Sequence, residues 1–224
     1  MLHAGTLTAV FIVLWKDIWS ILKKPFQKLT LYLIIATIPA VIAALSFKDS
    51  IENIFTSARF LGWCFLITAV LLVTAEILSR RKTGKKTADS INWIDAVFIG
   101  LMQAIAIPPG ISRSGATISG ALLRGLDRDF AARFSFLMSI PAILGAVVLQ
   151  VKDLFKRSSE AAMETSINAG AVIAGTVAAA VVGFFAVRFM LKIIREKSLY
   201  GFAVYTGVLG ALVLADQLIT RIVL

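Results

Sequence analysis

One decapeptide, PPGISRSGAT from Pro108 to Thr117, concentrates the side chains that could do chemistry. The guanidinium of Arg113 offers a planar fork of N–H donors, which suits two oxygens of a phosphate group. The hydroxyl groups of Ser112, Ser114 and Thr117 add further donors within a few residues of that arginine. Donors so closely spaced predict a binding site for an anion, and a phosphate matches them well.

The backbone of the same segment predicts a break between two helices. Pro108 and Pro109 have no N–H group, and Gly110 and Gly115 permit close turns, so a helix should end before Ser112 and restart near Ser114. A restarting helix directs unpaired N–H groups and the positive end of its dipole towards the break. The alternative is a polar helix kink in which the arginine pairs with a carboxylate for structure alone.

The composition places this decapeptide in an all-α integral membrane protein. Hydrophobic residues make up 58% of the chain and charged residues 16%, with a mean hydropathy of +0.88. A guanidinium at membrane depth is costly, so we expect Arg113 to be buried and to face a partner or a wet cavity. Six apolar runs are about long enough to cross a hydrocarbon layer of roughly 30 Å: Ala4 to Leu22, Leu29 to Phe47, Phe60 to Leu78, Phe134 to Val151, Ile167 to Val187 and Leu199 to Thr220.

A seventh apolar run, from Trp93 to Ile107, is shorter and ends at the proline pair. Together with Ser114 to Leu126 it predicts a re-entrant helix-loop-helix, which dips into the membrane and returns. Such a loop is tolerated where protein or cavity water satisfies its backbone. Two ordinary crossings are the alternative.

The net charge of +10 reflects membrane topology rather than nucleic-acid binding, because the basic residues lie in short loops between apolar runs. The positive-inside rule makes three basic loops cytoplasmic and the charge-balanced loops 48–59 and 152–166 external. This assignment requires that the re-entrant segment makes no net crossing, and it places the C-terminus outside. The basic loops contain Lys23, Lys24 and Lys28; Arg80, Arg81, Lys82, Lys85 and Lys86; and Arg188, Lys192, Arg195 and Lys197.

Weak internal matches predict an incomplete inverted repeat in a single membrane domain of residues 1–224. Residues 14–18 resemble residues 150–154, at a separation of 136 residues, and Gly62-Trp63 resembles Gly201-Phe202, at a separation of 139 residues. Residues 1–91 then form a partial first repeat, and residues 92–224 form the second repeat with the phosphate motif. Inverted repeats of membrane proteins commonly place a binding site near the midplane, between broken helices.

The titratable residues outside the decapeptide fit structural roles better than catalytic ones. The positions of Asp17, Glu76 and Asp153 favour salt bridges with loop bases. His3 is a lone histidine near the N-terminus, which suggests an interfacial role or none. Cys64 lies within an apolar run and is expected to be a small core or lipid-facing residue.

The segment QAIAIPPGISRSGATISG, residues 103–120, followed by FSFL at 134–137 and Pro141, resembles the second signature of the bacterial undecaprenyl-pyrophosphate phosphatase family, the bacitracin-resistance type. The segment HAGTLTAV, residues 3–10, is similar to the sequence that follows that family's first signature. The resemblance covers essentially the whole chain. It implies an enzyme of the bacterial plasma membrane with six crossings and two re-entrant pairs, which removes the terminal phosphate of C55-isoprenyl pyrophosphate and so recycles the lipid carrier of peptidoglycan synthesis.

The resemblance also implies roles for individual residues of the motif. Arg113 matches the family's phosphate-binding arginine, and Ser112 and Ser114 match its flanking hydroxyls, so these three are the catalytic candidates. Gly115 and Thr117 complete the predicted phosphate site, while Pro109 and Gly110 match the residues that shape the loop.

The family's first signature, with two glutamates, a serine pair and a histidine, has no match in the 224 residues. The resemblance implies a divalent cation, Mg²⁺ or Ca²⁺, whose ligands belong to that signature, and we therefore expect no metal ligands in this chain. The implied partners are the isoprenyl pyrophosphate substrate and membrane lipids, with a homo-oligomer possible. A transporter or flippase for a phosphorylated lipid or another anion is the rival hypothesis, because broken helices also serve transport. An inactive remnant is the third.

The repeat spacing predicts that the counterpart of the decapeptide precedes Met1 by some 20 to 30 residues, as estimated from inverted-repeat symmetry. We therefore expect a misassigned start or a truncated gene, and no activity from the 224-residue product alone. Reading the DNA upstream of the Met1 codon should reveal an in-frame segment with two glutamates and a string resembling Ser-Ser-Thr-Gly-His. Stop codons immediately upstream would contradict the start error, and phosphatase activity of the short product would contradict its inactivity.

Overall fold

A computed structural model describes residues 2–47, 60–81, 86–160 and 169–220. Within these ranges it describes the side chains of residues 4–47, 60–80, 86–145, 170 and 172–218. The two predicted external loops lie outside the described ranges, apart from residues 152–160 of the second, whose backbone is helical. The side chains of His3 and Asp153 also lie outside the described set.

Helices account for nearly all of the described chain, which confirms the predicted all-α class. Within the described ranges, the β-type pairing consists of an isolated parallel bridge between Lys86 and Leu126. The α-helices are α1 (Leu2–Val13), α2 (Trp15–Lys23), α3 (Lys28–Ser46), α4 (Leu61–Arg81), α5 (Trp93–Ile105), α6 (Arg113–Leu123), α7 (Arg128–Glu160), α8 (Ala169–Glu196) and α9 (Tyr200–Ala215), and α9 continues into a wider π-helical turn over Asp216–Thr220.

Four described helices are long and apolar enough to cross a membrane, and they match four of the six predicted runs. These are α3, α4, α8 and α9. The predicted run from Phe134 to Val151 falls inside α7, which contains 33 residues. The chain is thus a multi-pass membrane protein.

The predicted run from Ala4 to Leu22 is divided between two helices, α1 and α2, which together are long and apolar enough for one broken span or a re-entrant loop. The chain bends by 83° between α1 and α2 at a break around Leu14. The physical reason is a change of pattern, because α1 is predominantly apolar and contains no Asp, Glu, Lys or Arg, whereas α2 carries Lys16 and Asp17 in its first turn. A helix with a charged face is poorly suited to the hydrocarbon interior.

Two compact units are distinguished by their internal contacts, and each is built from separate stretches of sequence. The first comprises Met1–Pro25 and Phe136–Lys192, and the second comprises Phe26–Ser135 and Ile193–Leu224. These boundaries do not follow the predicted repeat boundary at residue 91. The inverted repeat itself stays a prediction.

Small residues let helices approach closely in the first unit. A side-chain carbon at Gly5 of α1 would collide with the carbonyl oxygen of Thr176 in α8, and one at Gly183 would lie 3.1 Å from the Cβ of Ala9. Close backbone contact of this kind replaces the hydrophobic driving force that is missing between helices in lipid.

Glycines also allow close contact between two pairs of helices in the second unit. Gly100 of α5 packs directly on the backbone of Ala36 in α3. A Cβ at Gly210 of α9 would lie 3.0 Å from the carbonyl oxygen of Gly62 in α4. Helix α3 therefore packs on α5, while α4 packs on both α6 and α9, so that α3 and α4 hold the short helices α5 and α6.

Helices α5 and α6 form the predicted re-entrant helix-loop-helix. They contain 13 and 11 residues and so extend about 20 and 16 Å, too short for a roughly 30 Å hydrocarbon layer. The outer ends of the two helices, meaning the ends away from the connecting loop, lie side by side. The Lys86 N–H, before α5, donates to the carbonyl of Gly125 at 2.8 Å, and the Asp127 N–H, after α6, donates to the carbonyl of Lys86 at 2.8 Å. The hairpin prediction is confirmed.

A buried carboxylate closes the outer end of this hairpin. Asp95, in the first turn of α5, accepts hydrogen bonds from Lys86 Nζ at 2.7 and 2.9 Å and from Arg124 Nε at 2.7 Å. It also forms a capping box with Asn92. The Lys86 ammonium, the Arg124 guanidinium and the Asn92 N–H all donate to this carboxylate, so they compensate its charge and fasten both helices.

A second buried carboxylate, Glu76 near the end of α4, joins three elements. The guanidinium of Arg128 at the start of α7 spans both of its oxygens at 3.2 and 2.9 Å, and Arg80 Nε donates at 2.8 Å. The Leu199 N–H, at the turn between α8 and α9, donates at 3.0 Å. The expectation that Glu76 forms salt bridges is confirmed. Cys64 is buried, as expected for a small core residue.

We expect Gly100→Ala to destabilise the protein by about 1–3 kcal/mol, because the new methyl group would overlap the Ala36 carbonyl oxygen in a tightly packed pair of helices. The matched control is Gly201→Ala, since a Cβ there meets no atom within 4 Å. Both changes replace glycine by alanine within a helix, so a lower thermal unfolding midpoint of Gly100→Ala than of Gly201→Ala in detergent reports the packing cost. Equal midpoints for the two variants would contradict the close contact between α3 and α5.

Candidate phosphate-binding site

Ser112 is the N-cap residue of helix α6, whose first residue is Arg113. Its hydroxyl oxygen accepts the N–H of Gly115 at 3.1 Å, which leaves the hydroxyl hydrogen free to donate. The next two N–H groups, of Arg113 and Ser114, have no acceptor within the described chain. Two free amides, two serine hydroxyls and the positive end of a helix dipole therefore converge at this N-terminus.

The loop before Ser112 turns tightly. Ile111 N–H donates to the Pro108 carbonyl at 3.3 Å, and Gly110 has a φ of +91°. Pro109 and Gly110 thus occupy the central positions of a turn with the sequence preferences of type II. A Cβ at Gly110 would also lie 2.9 Å from Cys64 Cβ. The predicted loop-shaping residues therefore have the backbone roles expected of them.

Thr68, in the middle of α4, holds this loop in place. It is fully buried, and its hydroxyl oxygen accepts the Ser112 N–H at 3.1 Å. The same hydroxyl lies 3.1 Å from the carbonyl oxygen of Cys64 and 3.4 Å from that of Gly110. One side chain on the continuous helix α4 thus accepts the Ser112 N–H and lies within hydrogen-bond distance of the Gly110 carbonyl, both in the loop between α5 and α6.

Thr117 is buried in the protein, whereas Ser112, Arg113 and Ser114 are accessible at the start of α6. Its side chain is buried, and its hydroxyl donates to the Arg113 carbonyl at 2.9 Å and is hydrogen-bonded to Ser135. With its hydrogen committed to the protein, the hydroxyl has no donor to offer a phosphate. Gly115 is likewise buried, and its N–H is used by Ser112. The geometry favours positioning roles for these two residues over the direct phosphate contact that the sequence predicted.

Arg113 is exposed, which corrects the expectation of a buried guanidinium. It is the first residue of α6, and in the part of the chain that the structure describes no carboxylate pairs with it. The alternative of a structural kink held by an ion pair therefore lacks its required partner there. Ser112 and Ser114 are half-buried beside it. The accessible donors of the motif are these three residues.

The described residues do not provide a site for a divalent cation. Among them, no group of three histidine, cysteine, aspartate or glutamate side chains lies close enough to hold a metal ion. The buried carboxylates Asp95 and Glu76 are each neutralised by two cationic side chains. The cation implied by the sequence resemblance stays a prediction.

Sequence reasoning missed Thr68 and did not assign a role to Ser135. Both are hydroxyl residues within apolar stretches, and this is a detectable signal because an unpaired hydroxyl is costly in an apolar environment. The sequence does not reveal that Thr68 pairs with a backbone group 44 residues away.

Comparisons with known proteins identify the family of this chain. Residues 1–212 match the profile of the family described as "Bacitracin resistance protein BacA". The chain belongs to this family. It is 44% identical over 217 residues to the undecaprenyl-diphosphatase of Carboxydothermus hydrogenoformans, and it covers 81% of that protein with 97% of its own length.

Two further relatives of this chain are also named undecaprenyl-diphosphatases. Undecaprenyl-diphosphatase 4 of Bacillus cereus is 47% identical, over 97% of the chain and 81% of the relative. The undecaprenyl-diphosphatase of Methanothermobacter thermautotrophicus is 46% identical over 186 residues, which are 83% of the chain and 99% of that relative. The predicted family is thereby confirmed.

We expect Thr68→Val to lower the kcat/KM of phosphate release by about 5- to 150-fold, the equivalent of the roughly 1–3 kcal/mol that an unsatisfied buried group costs. The substitution keeps the side-chain shape but leaves the Ser112 N–H without its acceptor. Thr206→Val is the matched control, because the Thr206 hydroxyl donates only to carbonyls of its own helix at 2.9 and 3.2 Å. Thr68→Ser, which retains the hydroxyl, should restore most of the activity. Equal effects of Thr68→Val and Thr206→Val would contradict the anchoring role.

Proposed function

We propose that this BacA family member hydrolyses undecaprenyl pyrophosphate to undecaprenyl phosphate and inorganic phosphate, and thereby contributes to bacitracin resistance. The observation that carries the assignment to this site is the unpaired donor set at the start of α6. Arg113, the free amides and the two serine hydroxyls are accessible, while the other cationic side chains around α5 and α6 are engaged by Asp95 and Glu76.

The chemistry required is attack of water on the terminal phosphorus and departure of undecaprenyl phosphate. In phosphoryl transfer, catalysis consists largely of positioning and of electrostatic stabilisation of the transferring group. The guanidinium of Arg113 and the amides of Arg113 and Ser114 supply positive potential for the oxygens of the terminal phosphate. The free hydrogen of the Ser112 hydroxyl adds a neutral donor. The rigid attachment of this loop to Thr68 means that these donors need little reorganisation.

We further propose that the basic loops face the cytoplasm of a bacterial plasma membrane and that the C-terminus is external. Glu76 brings Arg80 of α4 together with the turn between α8 and α9, so two of the basic loops lie at one end of the second unit. The start of α5 and the end of α6 also lie near this end of the unit. The reason is that the segment after α6 leads directly to Arg128, which is paired with Glu76. The loop with Arg113 then lies about 20 Å away along α5, towards the external half of the membrane.

We expect Arg113→Ala to reduce phosphate release from undecaprenyl pyrophosphate by roughly 100- to 1,000-fold, the usual effect of removing one preorganised donor. Arg195→Ala is the matched control, because Arg195 is exposed and its ion pair is with the adjacent Glu196 at 3.0 Å. Release of inorganic phosphate is measured with purified protein in detergent, for the 224-residue chain and for the gene extended to any in-frame upstream start. The loss should appear in whichever form is active, and thermal unfolding midpoints should stay equal.

Two outcomes would contradict the proposal. Activity that survives Arg113→Ala would remove the motif from the reaction. Movement of undecaprenyl pyrophosphate across liposomes without phosphate release from either form would favour the transporter hypothesis instead.

A further inference from the structure

Helix α2 has a distribution of side chains that the phosphate-binding site does not explain. Around its axis, the apolar residues occupy one side and the polar residues the other, as in an amphipathic helix. Only part of the apolar side is covered by the protein, since Ile18 is buried while Trp15, Trp19 and Leu22 are 51, 46 and 60% exposed. The helix therefore presents three distinct faces: one to the protein core, one apolar and exposed, and one charged and exposed.

The exposed apolar face carries an ordered pair of tryptophans. Their rings stack with centroids 5.5 Å apart and an interplanar angle of 22°. The ammonium group of Lys23 lies 5.5 Å from the Trp19 ring centroid. Tryptophan rings with a neighbouring lysine are typical of the boundary between headgroups and hydrocarbon.

The orientation of α2 fits that boundary. It leaves α1 at 83°, so if α1 runs along the membrane normal, α2 runs along the membrane plane. A helix in this orientation places Trp15, Trp19 and Leu22 towards the hydrocarbon. Lys16, Lys23 and Lys24 then lie at headgroup level, and all three are exposed.

An apolar groove continues from α2 along α1. It has a volume of about 510 Å³ and is lined by Leu7, Thr8, Phe11, Ile12 and Trp15. The single hydroxyl in it, of Thr8, donates to the Ala4 carbonyl at 2.9 Å, so the groove offers hydrocarbon surface rather than hydrogen-bond donors. Its contact with Trp15 joins an apolar cleft to the lysines of α2.

We propose that α2 and this groove bind an anionic glycerophospholipid of the surrounding leaflet. An acyl chain lies in the groove beside Phe11 and Trp15, and the phosphate headgroup lies against Lys16, Lys23 and Lys24. Charge complementarity selects the partner, because the polar face of α2 carries three lysines and one acid, Asp17, which is engaged in an interaction of its own. Juxtamembrane lysines attract anionic lipids in this way. This binding surface is separate from the phosphate motif and does not depend on catalysis.

The test uses fluorescence quenching by brominated lipids. In a Trp63→Phe/Trp93→Phe background the remaining tryptophans are Trp15 and Trp19. The protein is reconstituted in phosphatidylcholine bilayers with increasing fractions of either brominated phosphatidylglycerol or brominated phosphatidylcholine. We expect the anionic lipid to reach half-maximal quenching at a mole fraction roughly fivefold lower, as one favourable lysine contact predicts.

Charge variants decide whether the lysines cause this preference. Lys16→Gln/Lys23→Gln/Lys24→Gln should make the two lipids equivalent, whereas the corresponding triple lysine-to-arginine variant should retain the preference. Lys192→Gln/Lys197→Gln, which neutralises two exposed lysines elsewhere, is the matched control and should also retain it.

Three results would overturn the proposal. Equal quenching by both lipids in the starting protein would show that α2 has no preference for anionic lipid. The absence of quenching by either lipid would place α2 away from the bilayer. Relief of quenching by unlabelled undecaprenyl pyrophosphate, but not by excess unbrominated phosphatidylglycerol, would assign the groove to the isoprenyl tail.

Discussion

The hydrogen bond between the Thr68 hydroxyl and the Ser112 N–H is the contact on which the site depends. A break between two helices leaves amides and carbonyls unpaired, and in an apolar environment each unpaired group costs several kcal/mol. Most lipid-embedded chains avoid this cost by remaining helical. Here a hydroxyl on an unbroken helix, α4, pairs with groups of the loop and so holds the half-buried loop against that helix. The position of every donor at the start of α6 follows from that attachment.

The same constraint governs the charged groups. Asp95 and Glu76 are fully buried, and each is surrounded by cations and backbone N–H groups that compensate its charge. Removing one partner from such a buried pair is strongly destabilising, because the remaining charge is left uncompensated. These two carboxylates therefore fasten the ends of helices. Arg113 differs from Lys86, Arg124 and Arg128 because it has no such partner among the described residues. An unpaired cation beside free helix amides has the features of a ligand-binding group rather than a structural one.

Packing provides the rigidity that this arrangement needs. Small residues bring α1 against α8, α3 against α5 and α4 against α9 closely enough for backbone contact. Close packing of this kind leaves the short helices α5 and α6 a fixed frame in the second unit. The amphipathic helix α2 in the first unit is packed less completely, because the described chain leaves part of its apolar side uncovered.

The amino-acid sequence by itself determined the properties that depend on composition and on local backbone chemistry. The membrane class, the spans that became α3, α4, α8 and α9, the hairpin and a helix restart near Ser114 all follow from hydropathy, proline and glycine. The tertiary structure alone decided which hydroxyls remain free, because hydrogen-bond partners are chosen by distance in space. Thr68 reaches a residue 44 positions away, and Thr117 is turned inward to Ser135. It also decided that Arg113 is exposed and that the chain bends at Leu14, since both depend on which faces of a helix its neighbours cover.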